Sequence, residues 1–208
     1  MYAPTLGKEE SRVCGYVVDI LDGDRIIEIQ TGGFSKIREK VSVLLREYRV
    51  NLVLPIAVEK TLVVYDDRLE RVLYRRKSPK RGEHLDIVHE LVYIPELALH
   101  PGFSIELLLT REEEIRSADG KGSWRRRGIR IVDRKLLAVT GRVRFDCVRD
   151  YLQFLPEGLP RLFTNRTVSD VTGKPMRTIG KLTYSLRKMG ALQVEGKQGN
   201  LQVFRLAR

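Results

Sequence analysis

The order of apolar segments in this chain predicts an α/β protein. Two β-branched runs flank an Asp22-Gly23-Asp24 turn, an amphipathic segment follows over 35–48, and two short apolar runs occupy 50–56 and 61–65. Hairpin, helix, strand, strand belongs to the mixed class rather than to a bundle or a sandwich. The strand after the helix is expected to lie parallel to the one before it, joined by a right-handed crossover.

The hairpin carries the most chemistry. Val17-Val18-Asp19-Ile20-Leu21 and Arg25-Ile26-Ile27-Glu28-Ile29 surround the turn residues that hairpins favour. A two-residue turn at Gly23-Asp24 pairs Asp22 with Arg25 and sets Asp19 opposite Glu28. Alternation puts Glu28 and Gln30 on one face and Ile27 and Ile29 on the other. Opposed residues on one face have Cβ atoms ~5 Å apart. Two carboxylates and an amide oxygen then converge, and hard oxygen donors of this kind suit Mg²⁺ or Mn²⁺. Without a cation the like charges repel. The competing reading makes Asp19 a turn residue and leaves Glu28 and Gln30 on the wet face of an ordinary strand.

In Thr31-Gly32-Gly33-Phe34-Ser35 the glycines release the backbone, and Ser35 is the expected N-cap of a helix over 35–48. Ile37, Val41, Leu44, Leu45 and Tyr48 recur at helical spacing on it. The run 50–56 reads as a buried strand ending at Pro55, and 61–65 as a second one ending at Asp66-Asp67. Over 68–82 the chain turns basic. Arg75, Arg76 and Lys77 are read either as phosphate contacts or as a solvated edge. A helix is expected over 84–99, bent or broken by Pro95, and a strand over 104–109. The segment 111–130 reads as a turn-rich loop or hairpin with Trp124 beside Arg125, Arg126 and Arg127. That tryptophan can stack on a base or sugar or anchor packing, and the packing role is preferred.

Thirty-eight Lys/Arg against 27 Asp/Glu give a net charge of +11 and a pI of about 9.8. An anionic partner is implied, nucleic acid before a membrane surface. No apolar run approaches the ~20 residues of a membrane span, and no signal-peptide pattern opens the chain. Cys14 and Cys147 form no Cys-x-x-Cys pair, and His84, His89 and His100 lack ligand spacing. Zinc and a disulfide framework are therefore not expected, and a cytoplasmic location is.

Character shifts near Leu155-Pro156-Glu157-Gly158, so the expected domains are 1–150, with a core over about 11–66 and a basic extension over 67–150, and 151–208. The tail 151–208 holds ten Lys/Arg against three Asp/Glu. Thr164 or Asn165 can cap a short helix to Val171, Gly173 makes the turn, and Lys174-Pro175 opens a helix to Met189. Met176, Ile179, Leu182, Leu186 and Met189 form its buried stripe, leaving Arg177, Thr178, Lys181, Tyr184, Ser185 and Lys188 outward. Two short strands around Gly196-Lys197 complete a winged helix-turn-helix pattern. Lys174, Arg177, Thr178, Lys181 and Lys197 would contact DNA, with the second helix in the major groove. A winged helix can equally serve protein contacts, and the charge favours DNA. Self-association as a homodimer stays open.

Asp19, Glu28 and Gln30, with the helix and strand behind them, resemble the PD-(D/E)xK restriction-endonuclease-like nuclease superfamily in its variant with Gln at the lysine position. The whole chain also looks like an uncharacterised bacterial family that joins such a core to a winged helix. The resemblance implies a mixed sheet with flanking helices, Asp19 and Glu28 as metal ligands, and phosphodiester hydrolysis of DNA assisted by one or two Mg²⁺ ions. Gln30 can ligate a metal and donate a hydrogen bond but cannot be a cation. A substitute lysine is expected at Lys36, with Lys60 second. The family core usually begins with a helix bearing a further acid. Here few residues precede the hairpin, Pro4 and Gly7 among them, so Glu9 or Glu10 supplies that acid, the acid is missing, or the start lies upstream.

Overall fold

The structure, a computed structural model, describes residues 7–207; Pro4 lies outside them. It is mixed α/β. β1 (Lys8–Val13), β2 (Tyr16–Asp22) and β3 (Arg25–Ile29) are joined by tight turns and pair antiparallel in succession. α1 (Phe34–Leu44) then leads into β4 (Arg49–Tyr65), which pairs with β3 in parallel as expected. β5 (Val72–Lys77) pairs antiparallel with the far half of β4. After a short α2 (Val88–Leu91) come two more long strands, β6 (Phe103–Ser117) and β7 (Arg130–Phe145). One seven-stranded sheet has the order β1-β2-β3-β4-β6-β7, with β5 on β4.

The chain divides into two compact units. The first comprises residues up to Leu54, Leu85–Glu106 and the chain from Arg144 onward; the second comprises Pro55–His84 and Leu107–Val143. This division falls inside β4, β6 and β7, and the C-terminal tail groups with the first unit.

Several elements differ from their sequence expectation for identifiable reasons. The runs 50–56 and 61–65 are one 17-residue strand. Pro55 fits an extended φ and forfeits only one ladder donor, so it need not stop a strand. Ser35 does not cap α1. Gly33 does, at φ 77°, and the carboxylate of Glu90 accepts the Phe34 N–H at 2.9 Å. A positive φ disfavours any side chain with a Cβ, so the glycine holds the position. The helix also ends at Leu44, four residues early.

The expected helix over 84–99 is broken into a 3₁₀ turn His84–Ile87, α2 and a second 3₁₀ turn Leu97–Leu99. Pro95 is buried in the gap, and Ile87, Val88, Leu91 and Ile94 still reach the core. β6 runs well past 109. β7 was not expected; nearly every side chain from Arg130 to Leu137 is exposed, and only its second half alternates.

The tail follows its reading closely. β8 (Phe163–Thr164), α3 (Asn165–Thr172), α4 (Met176–Lys188), β9 (Leu192–Gln198) and β10 (Leu201–Leu206) give a helix–turn–helix followed by a hairpin, with sheet order β8-β10-β9. Thr164 caps α3 by accepting the Thr167 N–H at 3.2 Å, and Gly173 closes it at φ 67°. Ile179, Leu182, Leu186 and Met189 are buried. Full burial of each such side chain is worth roughly 1.5–3 kcal/mol. Ser185 was expected outward but is buried, and its hydroxyl has no hydrogen-bond partner among the described residues.

Candidate functional site

The register around the hairpin decides where the acids stand. Asp22 pairs with Arg25, Leu21 with Ile26 and Ile20 with Ile27, and the ladder ends there, one residue short of Asp19 and Glu28. On the other side Glu9 pairs with Ile20 and Ser11 with Val18, which puts Glu10 level with Asp19. Glu10 interrupts that ladder with a φ of 48°. A cleft of about 370 Å³ is lined by Glu9, Glu10, Asp19, Ile20 and Ile29. Among the described residues, no three His, Cys, Asp or Glu side chains stand together so as to hold a metal ion.

Glu28 is the unusual member. It is 1% exposed, because β3 is an inner strand covered on both faces. The ammonium of Lys40, on α1, stands 2.6 Å from its Oε1 and donates to the Val17 carbonyl at 2.6 Å. Burial pushes the Glu28 carboxyl above the ordinary glutamate value; Lys40 pulls it back, and the nearby charge of Asp19 adds to the rise. Asp19 is half-buried and accepts the Ile29 N–H at 2.7 Å. Gln30 lies one residue past β3 and continues the parallel ladder by donating its N–H to the Val53 carbonyl at 2.8 Å.

The lysine at Glu28 is thus Lys40, not Lys36. Helical side chains lean toward the N-terminus of their helix and cover the preceding turn. α1 starts just beyond the end of β3, so Lys40 leans back over Glu28, while Lys36 is exposed in the opening turn. Lys60 belongs to the second unit and is ion-paired with Glu114 at 3.3 Å.

A polar cleft in the first unit gave no sequence signal. About 540 Å³ in volume, it is lined by Asp22, Asp24, Arg25, Arg49, Ser104 and Arg144, among others. Arg144 donates to Ser104 Oγ at 3.1 Å, Ser104 to Asn51 Oδ1 at 3.0 Å, and Asn51 to Glu106 at 3.2 Å. Its rim charges are balanced locally, Arg49 by Asp24 at 2.8 Å and Arg144 by Asp146 at 2.7 Å.

The expected nucleic-acid contacts lie on two surfaces. In the second unit Arg76 is exposed on β5, while Arg75 is ion-paired with Glu113 and Lys77 with Glu59 at 3.3 Å. Arg125, Arg126 and Arg127 are exposed in the loop between β6 and β7. Trp124 is 82% exposed, which overturns its reading as a packing anchor; the Arg125 guanidinium sits over its ring at 5.5 Å. In the tail Arg177 and Lys197 are exposed, and Lys174, Thr178 and Lys181 are half-buried.

Residues 1–146, more than half the chain, match the family described as "Domain of unknown function (DUF8091)". The chain belongs to DUF8091. The matched region contains Asp19, Glu28 and all of the second unit, and it stops before α3, α4 and their hairpin. An uncharacterized protein of Treponema pallidum (strain Nichols) is 29% identical over 206 residues, covering 98% of this chain and 80% of the relative. That likeness runs past the DUF8091 region into the tail. No solved structure matches. No helix among the described residues is long and apolar enough to cross a membrane.

Proposed function

We propose that this protein is a metal-dependent DNA endonuclease of the restriction-endonuclease-like type, with a winged helix in its tail that holds the duplex. The observation that carries the reading is the closeness of Asp19 to a buried Glu28 that already has a cationic partner. The succession of three antiparallel strands, a helix and a parallel strand supports it as well. The donor set fits a hard divalent ion: the carboxylates of Asp19 and Glu28 and, two residues on in the sequence, the amide oxygen of Gln30.

Asp19 and Glu28 would hold Mg²⁺ or Mn²⁺, with Gln30 offering its side-chain oxygen. When bound, the ion supplies water activation and stabilisation of the leaving oxygen. Lys40, ion-paired with Glu28, would supply positive charge in place of the lysine that Gln30 replaces. The exposed arginines of the second unit and of α4 bind the backbone and steer its approach.

The test is cleavage of plasmid or branched DNA with Mg²⁺ or Mn²⁺. Asp19→Ala and Glu28→Ala are each expected to lower the rate by about 100-fold or more, as loss of a ligand does. Equal cleavage by both variants and the parent would refute the assignment. A second reading, a DNA-binding protein with a degenerate nuclease fold, is favoured by one observation: Lys40 already neutralises Glu28. It requires salt-sensitive DNA affinity and no cleavage with either metal.

A further inference from the structure

The loop between β6 and β7 is built to display one aromatic ring. Asp119 fixes its base, accepting from Arg130 Nε at 2.7 Å and from the Lys121 N–H at 3.0 Å. The Gly122 N–H donates to the Gly128 carbonyl at 2.7 Å, and the Gly128 N–H to Ser123 at 3.3 Å. This closure leaves no room at Gly122, where a Cβ would lie 2.0 Å from the Ile129 oxygen. Above the staple a 3₁₀ turn, Trp124–Arg126, ends at Arg127 in the left-handed region at φ 50°. The loop is thus tied at its neck while its tip stands in solvent. That tip holds the chain's single tryptophan and three consecutive arginines.

Two further observations indicate what meets this tip. The second unit holds eighteen Lys/Arg against ten Asp/Glu, so its surface attracts a polyanion. The Arg125 guanidinium lies over one side of the indole, orienting it and leaving the ring able to stack on its other face. A duplex buries its base faces in the helical stack, whereas single strands offer theirs to aromatic side chains. From the pinned neck, the bare ring and the arginines beside it we infer that the Trp124 loop binds unpaired nucleotides, with Trp124 stacking on a base and Arg125, Arg126 and Arg127 on the flanking phosphates. This rests on the DNA reading above and narrows its substrate class to DNA carrying single-stranded segments.

Trp124 is the only tryptophan, so its emission reports this site alone. The experiment titrates the full chain, in EDTA to prevent cleavage, with oligo(dT) of about 15 nucleotides, with a duplex of equal length, and with anionic phospholipid vesicles. Affinity is followed independently by anisotropy of fluorescein-labelled DNA. Quenching of Trp124 is expected with oligo(dT), saturating together with the anisotropy and exceeding the effect of duplex. Trp124→Ala is expected to weaken oligo(dT) binding about tenfold while changing duplex affinity less than about twofold, and Trp124→Phe to restore most of the loss. Because the side chain is solvent-exposed, both variants should melt like the parent.

Oligo(dT) that binds by anisotropy with unchanged emission, and equally well to Trp124→Ala, would overturn the inference and leave the DNA reading standing. Absence of binding to either DNA would remove both. A blue shift with vesicles and no quenching by DNA would reassign the loop to a membrane surface.

Discussion

Glu28 and Lys40 show how one buried charge organises its surroundings. A carboxylate at 1% exposure is costly unless paired, and Lys40 is its partner at 2.6 Å. Burial raises the folded-state pKa of Glu28 above its ordinary value. The folded protein therefore binds more protons than the unfolded chain in the pH window just above that value, and this group's contribution to stability falls as pH rises through it. Removing the cation should steepen the fall. Lys40→Met is expected to cost roughly 3 kcal/mol at pH 7 and markedly less near pH 4.5. The double variant Lys40→Met/Glu28→Gln should recover most of the loss. Urea denaturation at the two pH values checks this. A Lys40→Met penalty independent of pH would mean that the lysine acts through packing and through Val17 alone.

At the scale of elements, α1 depends on a cap from outside its own segment. Glu90 accepts the Phe34 N–H and brings negative charge to the positive end of the helix. Glu90→Ala is expected to cost about 1 kcal/mol, seen as a lowered urea midpoint with unchanged slope, whereas Ser35→Ala should cost little because Ser35 is exposed and caps nothing. This contrast also marks the reach of sequence. The Asp-Gly turn sets a local register, so the pairing of Asp22 with Arg25 was legible, as were the Thr164 cap, Gly173 and the apolar stripe of α4. Long-range partners were not. Glu90 is 56 residues from Phe34, and choosing Lys40 over Lys36 requires the direction in which α1 returns over β3. β7 was hidden for another reason: its first half, residues 130–137, is almost wholly exposed and sets Ile131 beside Val132 and Leu136 beside Leu137, so it shows no period of two.

At the scale of the whole molecule the positive charge is unevenly held. The tail and the second unit carry the excess, while residues up to Leu54 together with Leu85–Glu106 hold eight Lys/Arg against twelve Asp/Glu. Asp19 and Glu28 thus lie in the part of the chain that repels a phosphate backbone most, and on the proposed reading the other parts drive binding. Each phosphate neutralised releases counterions, so affinity should fall linearly in log–log terms with salt, with a slope of about 0.9 per contact on duplex. Arg177→Gln/Lys181→Gln in α4 is therefore expected to flatten the duplex slope by nearly 2, and the same change at Arg76 alone by nearly 1. On the proposed reading the two effects should add, since Arg177 and Arg76 belong to different units. Fluorescence anisotropy across a salt series measures both. A slope unmoved by the α4 pair would mean that the helix–turn–helix faces something other than DNA, leaving the arginines of the second unit to carry the nucleic acid.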